Sequence, residues 1–326
     1  MTDVTRRQAI AAGTALLAAP LLPRPLLAAN AVRLSSIRSG SVSWLIETIR
    51  AEGIDKKVGL TLDVVEVASS AAASIALLSD SADVIVSDWT WAMRQRSKGY
   101  DLKFAPYSTA LGSVMVPQKS PAQSIADLMG KRIGVAGTGI DKSWILLRAY
   151  SRKMTGKDIA DESEPVFGAA PLVTEEFRSG RLDAVLNFWT YAARLQAEGA
   201  RQMLSMADVV HGLGVSPIPA LVGFIWSDKE VRDKGIPVDK LLLAEREANA
   251  VLATSDAAWQ RIRPLIRVTS DRELEAIRDY YRAGITDGWG ANETAAAEKM
   301  TNLLIELGDA ELVGDGTRFD QNLFHT

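Results

Sequence analysis

The side chains that could do chemistry in this sequence are few, and they gather at recurring positions. Trp44, Trp89, Trp91, Trp144 and Trp189, five of the eight tryptophans, stand at or just past short apolar runs. Those runs end in Arg38-Ser39-Gly40-Ser41, Ala68-Ser69-Ser70, Ser87-Asp88, Gly137-Thr138-Gly139-Ile140-Asp141-Lys142 and Asn187-Phe188. Aromatic faces beside small hydroxyls, amides and backbone N–H groups suit the stacking and orienting of a small organic molecule. Asp88 and Asp141 either cap the helices that follow them, the stronger reading for Asp141, or face a cationic or hydrogen-bond-donating group. Arg38 and Lys142 are the candidate partners for an anion. For Trp44 or Trp91 taken alone, core packing is the preferred reading; for Trp89 and Trp189 stacking and packing both stay open. Gly137-Thr138-Gly139 lacks the glycine spacings of phosphate-binding and dinucleotide-binding loops and reads as a tight turn. His211, in a glycine-rich loop without a neighbouring acid or nucleophile, reads as structural.

Composition removes much conventional catalysis. The chain has no cysteine, so it has no disulfide, thiolate nucleophile, iron–sulfur cluster or lipoprotein anchor. With only two histidines a multi-histidine metal site is not expected, and the loops offer too few clustered carboxylates for a bare metal ion. No cofactor is expected. A net charge of −3 gives no basic field to draw nucleic acid.

The amino terminus reads as an address. Thr5-Arg6-Arg7-Gln8-Ala9-Ile10 precedes a modest apolar run from Ala9 to Leu22, the pattern of a twin-arginine export signal over residues 1–31. Arg24 and Pro20, Pro23 and Pro25 interrupt what a transmembrane helix would need. Ala29-Asn30-Ala31 supplies small residues for cleavage near Ala31. Losing Arg6, Arg7, Arg24 and Asp3 would take the net charge from −3 to −5. The product is expected to be a soluble, free periplasmic protein and a monomer, with the twin-arginine translocase as its partner during export.

The elements that position the candidate residues alternate. Strand signals at 32–37, 60–67 and 83–87 are separated by helical spacing at 43–52 and 71–78, the latter capped by Ser69 or Ser70, and followed by a helix from Trp89 to Lys98. The rhythm restarts with strands at 133–136, 166–169 and 183–187 and helices at 143–155, 175–178 and 190–197. Such alternation means βαβ units, an α/β fold with mostly parallel sheets flanked by helices. At an offset of 100 residues Asp83, Trp89, Thr90, Ala92, Arg94 and Gly99 meet Asp183, Trp189, Thr190, Ala192, Arg194 and Gly199, so the chain reads as a pseudo-duplication. Crossovers are expected at 102–116 and 213–226. That makes 114–217 an inserted second lobe, and 32–113 plus 218–326 the first, with residues 238–307 helical and packed outside it. In open parallel sheets a ligand lies beyond the carboxyl ends of the strands. The expected binding set is therefore Ser39, Gly40, Trp44, Ser69, Ser70, Asp88, Trp89, Gly137, Thr138, Asp141, Lys142, Trp144, Asn187 and Trp189.

Ser124-Ile125-Ala126-Asp127-Leu128-Met129-Gly130-Lys131-Arg132-Ile133-Gly134-Val135 resembles the "DL-x-GK-x-IGV" opening of the second lobe in periplasmic binding proteins. The segments 79–84 and 179–184 resemble that group's "L-x-x-G-x-x-D", with Ser81 where glycine is common. Over residues 32–230 the chain resembles the nitrate/sulfonate/taurine (and thiamine-pyrimidine-precursor) class of ABC-transporter solute-binding proteins. The resemblance implies a type II two-lobe fold with two hinge crossovers, closing on a small ligand and docking on a permease with its ATPase. An organic ligand with an aromatic or cationic portion is the first expectation; an alkanesulfonate or taurine held by Arg38, Lys142 and helix N-termini is the alternative. The rival classes are a sensor or accessory binding protein not coupled to transport, and an enzyme. Pyrimidine-synthase relatives of this fold need a histidine and cysteine cluster that this chain lacks. Neighbouring permease and ATPase genes would favour import, and a neighbouring sensor kinase or dehydrogenase an accessory role.

Overall fold

Apolar strands feed helices whose buried faces cover them, and this happens twice. The computed structural model describes residues 30–37, 40–286, 288–307 and 318–325; Arg6, Arg7, Arg38, Ser39 and the expected export signal up to residue 29 lie outside the described residues. The first sheet holds β1 (Ala31–Ile37), β2 (Thr61–Val67), β3 (Val84–Asp88), β4 (Leu102–Ser108) and β10 (Val222–Ser227), in the order β2-β1-β3-β10-β4. The second holds β5 (Ser113–Val116), β6 (Arg132–Ala136), β7 (Glu164–Gly168), β8 (Ala184–Asn187) and β9 (Arg201–Ser205), in the order β7-β6-β8-β5-β9. In each, four strands run in the same direction, and one strand arriving from the other lobe, β10 or β5, is inserted antiparallel between two of them. The sheets are thus mixed, with the same internal order, and the expected α/β two-lobe fold is the observed one.

The offset of 100 residues has a structural meaning. Asp83 accepts the backbone N–H of Arg33 at 2.8 Å, and Asp183 that of Arg132 at 2.9 Å. Each aspartate pins the start of its lobe's first strand to the turn before its third. The glycine position of the motif is occupied by Asp80 (φ 58°) in the first lobe and Gly180 (φ 72°) in the second, so the departure falls on Asp80 rather than Ser81. Aspartate is among the side chains that tolerate this left-handed conformation.

The crossovers are shorter than the expected stretches, because β4 and β10 are full strands of the first sheet. Residues 109–112 join β4 to β5, and the chain returns through α9 (Met206–Gly212) and residues 213–221. Among the helices, α1 (Ser41–Ala51), α11 (Val238–Thr254), α12 (Asp256–Ile266) and α13 (Asp271–Ala283) enclose one apolar layer with sheet 1. The expected placement of all of 218–326 in the first lobe fails for α14 (Ala291–Leu307). Its buried Ala296, Ala297, Met300 and Leu304 share a core with Leu146 of α5 (Lys142–Thr155), on which the helix packs, and with Met206 and Val210. The chain then returns, and Phe324 packs edge-on against Trp89 and Phe104.

Candidate functional site

The carboxyl ends of the first sheet's strands surround a cavity of about 260 Å³. Its wall takes Ser35, Ser36 and Ile37 from β1, Val67 from β2, Ser87 and Asp88 from β3, and Tyr107 from β4. Gly40, Ser41 and Val42 bring the amino end of α1 to it, and Ser70 that of α3 (Ser70–Leu78). Helix amino ends favour negative charge. Ser35 and Ser36 are 2% and 4% exposed, and their hydroxyls have no hydrogen-bond partner among the described residues. Tyr107 donates to Ser41 Oγ at 3.1 Å, and burial pushes its phenol up to about 12 although the Ser41 bond opposes that shift. Neutral donors and hydroxyls therefore dominate this floor.

Asp88 occupies one edge. Its Oδ1 accepts the Trp91 N–H at 2.8 Å and the Thr90 hydroxyl, capping α4 (Trp89–Arg96). Its Oδ2 lies 3.3 Å from Lys142 Nζ, at the amino end of α5 in the other lobe. Burial alone would raise the Asp88 carboxyl, but the Lys142 charge and the bonds from Thr90 and Trp91 outweigh it and hold its pKa below the usual carboxylate range. Asp141 has the opposite balance. It caps α5 through the N–H groups of Ser143 (2.9 Å) and Trp144 (3.4 Å), yet burial prevails and raises its pKa. Gly137 takes φ 112° beside it, where an added Cβ would meet Asp141 Cβ at 3.2 Å. That glycine serves the turn, as its spacing suggests.

The structure divides the expected residues. Gly40, Ser70, Asp88 and Lys142 gather at the cavity and its edge. Ser69 caps α3 by accepting from Ala72 and faces away, and Thr138 is exposed on its turn. Asn187 is buried and donates to Ala170 O and Thr174 Oγ1, pegging α7 (Ala170–Arg178) to β8, so it is not a ligand donor. Trp89 is 0% exposed, its indole N–H held by Ala220 O at 3.0 Å. Trp144 packs edge-on against Phe167, and Trp44 against Trp259, both buried. All three are buried and none lines the cavity, which agrees with the core reading preferred for Trp44 and left open for Trp89, and Trp144 packs in the same way. Trp189, at the start of α8 (Trp189–Ala197), is half-buried and meets Trp44 edge-on across the lobes, with centroids 6.0 Å apart.

At the strand ends of the second lobe, open aromatic surface comes from two phenylalanines. Phe167 (42% exposed) ends β7, Phe188 (44%) follows β8, and Leu172 (56%) stands on the first turn of α7. Phe167 packs near Gly139 in the loop that carries Lys142 to Asp88. Sequence reasoning missed Ser35, Ser36, Tyr107 and Phe167. The signal for the serines was there: two hydroxyls at the carboxyl end of Val32-Arg33-Leu34-Ser35-Ser36-Ile37, a strand whose buried faces call for apolar residues.

A model of the family described as "NMT1/THI5 like" matches residues 52–253. No curated protein matches the sequence. Among solved structures, the alkanesulfonate-binding protein SsuA from Xanthomonas axonopodis pv. citri bound to MOPS superposes with a TM-score of 0.68 at 17% identity, over 91% of this chain and 98% of that one. The periplasmic aliphatic sulphonate binding protein SsuA from Escherichia coli gives 0.73 at 14% identity, over 91% and 92%. A cysteine-to-serine mutant of DszB in complex with biphenyl-2-sulfinic acid gives 0.63 at 18% identity, over 90% and 96%. At these identities the likeness establishes a shared two-lobe fold.

Proposed function

The chain belongs to the NMT1/THI5-like family, and from that premise we propose that it is a solute-binding protein, which captures a small organic oxyanion between its lobes and delivers it to an ABC importer. The observation that carries this reading is the pair of buried, unpartnered hydroxyls of Ser35 and Ser36 on the floor of the cavity. A buried donor without a partner costs free energy, and the oxygens of a sulfonate or carboxylate would engage both. The amino end of α1 favours the same charge.

A cationic or amine ligand, one branch of the first expectation, would need Asp88 free; that carboxylate is already paired with Lys142 and capping α4. The three similar proteins named above are described with sulfonates or a sulfinic acid, which agrees with an oxyanion head. Phe167, Phe188 and Leu172 supply apolar surface for the body of the ligand. Capture without conversion suits a cavity wall that holds no histidine, in a chain with no cysteine.

The same reading places the protein in the periplasm after twin-arginine export, as a monomer whose partners are a permease and its ATPase. Ala31 opens β1 and Asn30 O accepts from Thr61 N, so signal cleavage on the amino side of Asn30, rather than at Ala31, would leave the strand whole.

Mass spectrometry of ligand carried through purification, followed by calorimetry with alkanesulfonates, arylsulfonates, carboxylates and amines, tests the proposal. Saturable binding of an oxyanion is expected. Binding of amines alone, or of nothing in the panel, would overturn it.

A further inference from the structure

A second cavity, of about 550 Å³, lies against β4 and α11, and its wall includes Pro106, Leu242, Glu245, Asn249 and Trp289. Glu245 is 6% exposed, and the groups that act on it are Asn249, whose Nδ2 donates to Oε1, and the charge of Arg246. A carboxyl so placed, with a neutral amide as its hydrogen-bonding neighbour, is a buried acid that no cationic side chain contacts directly among the described residues. Arg246 also borders the cavity but is exposed and hydrated, so an anion there would gain little. A cation reaching Glu245 would meet its charge where water screens it least.

Trp289 sharpens the chemistry. One face is stacked on Phe324, with centroids 4.4 Å apart and planes at 13°, and its indole N–H donates to Thr294 Oγ1 at 2.8 Å. What it has left to offer the cavity is π-surface, which favours organic ammonium groups. Leu242 and Ile285 add apolar wall for the rest of such a molecule.

We propose that this cavity is a second binding site, separate from the cleft, for a small organic cation of the primary-amine class, with its ammonium on Glu245 and its apolar part against Trp289. The site does not depend on the identity of the cleft ligand. Tyr281 donates to Asn249 Oδ1 at 2.7 Å and so holds the amide that contacts Glu245, and His325 borders the cavity.

Benzylamine titrated into the protein at pH 8, where its ammonium is charged, is the probe. The expected result is saturable binding by calorimetry that Glu245→Gln weakens at least tenfold, while Ser36→Ala in the cleft leaves it unchanged. The Gln variant keeps the Asn249 contact in neutral form, so its melting temperature should not fall, which separates lost binding from lost folding. Equal binding of benzyl alcohol, binding abolished by Ser36→Ala but not by Glu245→Gln, or no saturable binding of benzylamine would each overturn the assignment.

Discussion

The two lobes share a strand order and a clamp, yet face each other with different chemistry. Where the strands begin they match: Asp83 holds Arg33 as Asp183 holds Arg132, and a left-handed residue precedes each aspartate by three positions. Where the strands end they part. The first lobe presents Ser35, Ser36 and Tyr107, two of these with unpartnered hydroxyls. In the second the Asn187 amide and the Asp141 carboxylate are engaged by their own backbone and side-chain neighbours, and Phe167 and Phe188 are left open. Repetition has kept what sets strand register and released what touches solute. On the proposed reading, the polar head of a ligand belongs to one lobe and its apolar body to the other.

Substitutions at matched positions can break this comparison. The largest effect is expected for Trp89→Ala, which should cost roughly 3–5 kcal/mol of stability in a denaturant titration, as for other emptied aromatic core sites. Its counterpart Trp189→Ala, half-buried, should cost clearly less; equal costs would make the two tryptophans equivalent after all. Next, Ser35→Ala combined with Ser36→Ala should weaken oxyanion binding by about 1.5–3 kcal/mol per charged hydrogen bond lost. The unliganded protein should hold its melting temperature, because the removed hydroxyls have no partner among the described residues. Retained affinity in calorimetry would move the head group away from the first lobe.

Smaller again, Phe167→Ala and Phe188→Ala should each reduce affinity for an arylsulfonate by roughly 1–2 kcal/mol, the scale of partial aromatic burial. Binding of methanesulfonate should not change, and a loss common to both ligands would point to altered lobe closure instead. The smallest contrast is in acid stability. Asp88 has its pKa lowered on folding, so it contributes stability above the unfolded carboxylate range that is lost as pH falls through the folded value. Asp141 has its pKa raised, so it removes stability as pH rises from the unfolded to the folded value. Asp88→Asn and Asp141→Asn keep a capping oxygen and should shift the acid limb of thermal melts in opposite directions. Shifts of the same sign would mean that the two caps share one environment.

Most of the framework was legible in the sequence because local signals set it. The run Asp83-Val84-Ile85-Val86-Ser87 is apolar enough to be a buried strand, Ser69 caps where its position implies, and Gly156 closes α5 in the left-handed conformation. Strands β4 and β9 and the docking of α14 on the second lobe were not, since their pairing is decided by distant residues rather than by their own pattern. At the site, Asp88 and Lys142 were legible as strand-end charges, but not as partners of each other across the cleft. The tryptophans misled for a physical reason. A large ring at the start of a helix turns as readily into the layer beneath as toward the ligand, and Trp89 turned inward to Ala220 and Phe324.

The short crossover at 109–112 carries a mechanical consequence. An added Cβ on Gly112 would stand 2.1 Å from Asn187 O and 3.4 Å from Phe188 Cα, so the linker is pressed flat against the end of β8. No side chain fits between linker and sheet. Gly112→Ala would act as a wedge that forces the linker and the end of β8 apart. Two main chains in direct contact thus set the distance between this linker and the second sheet.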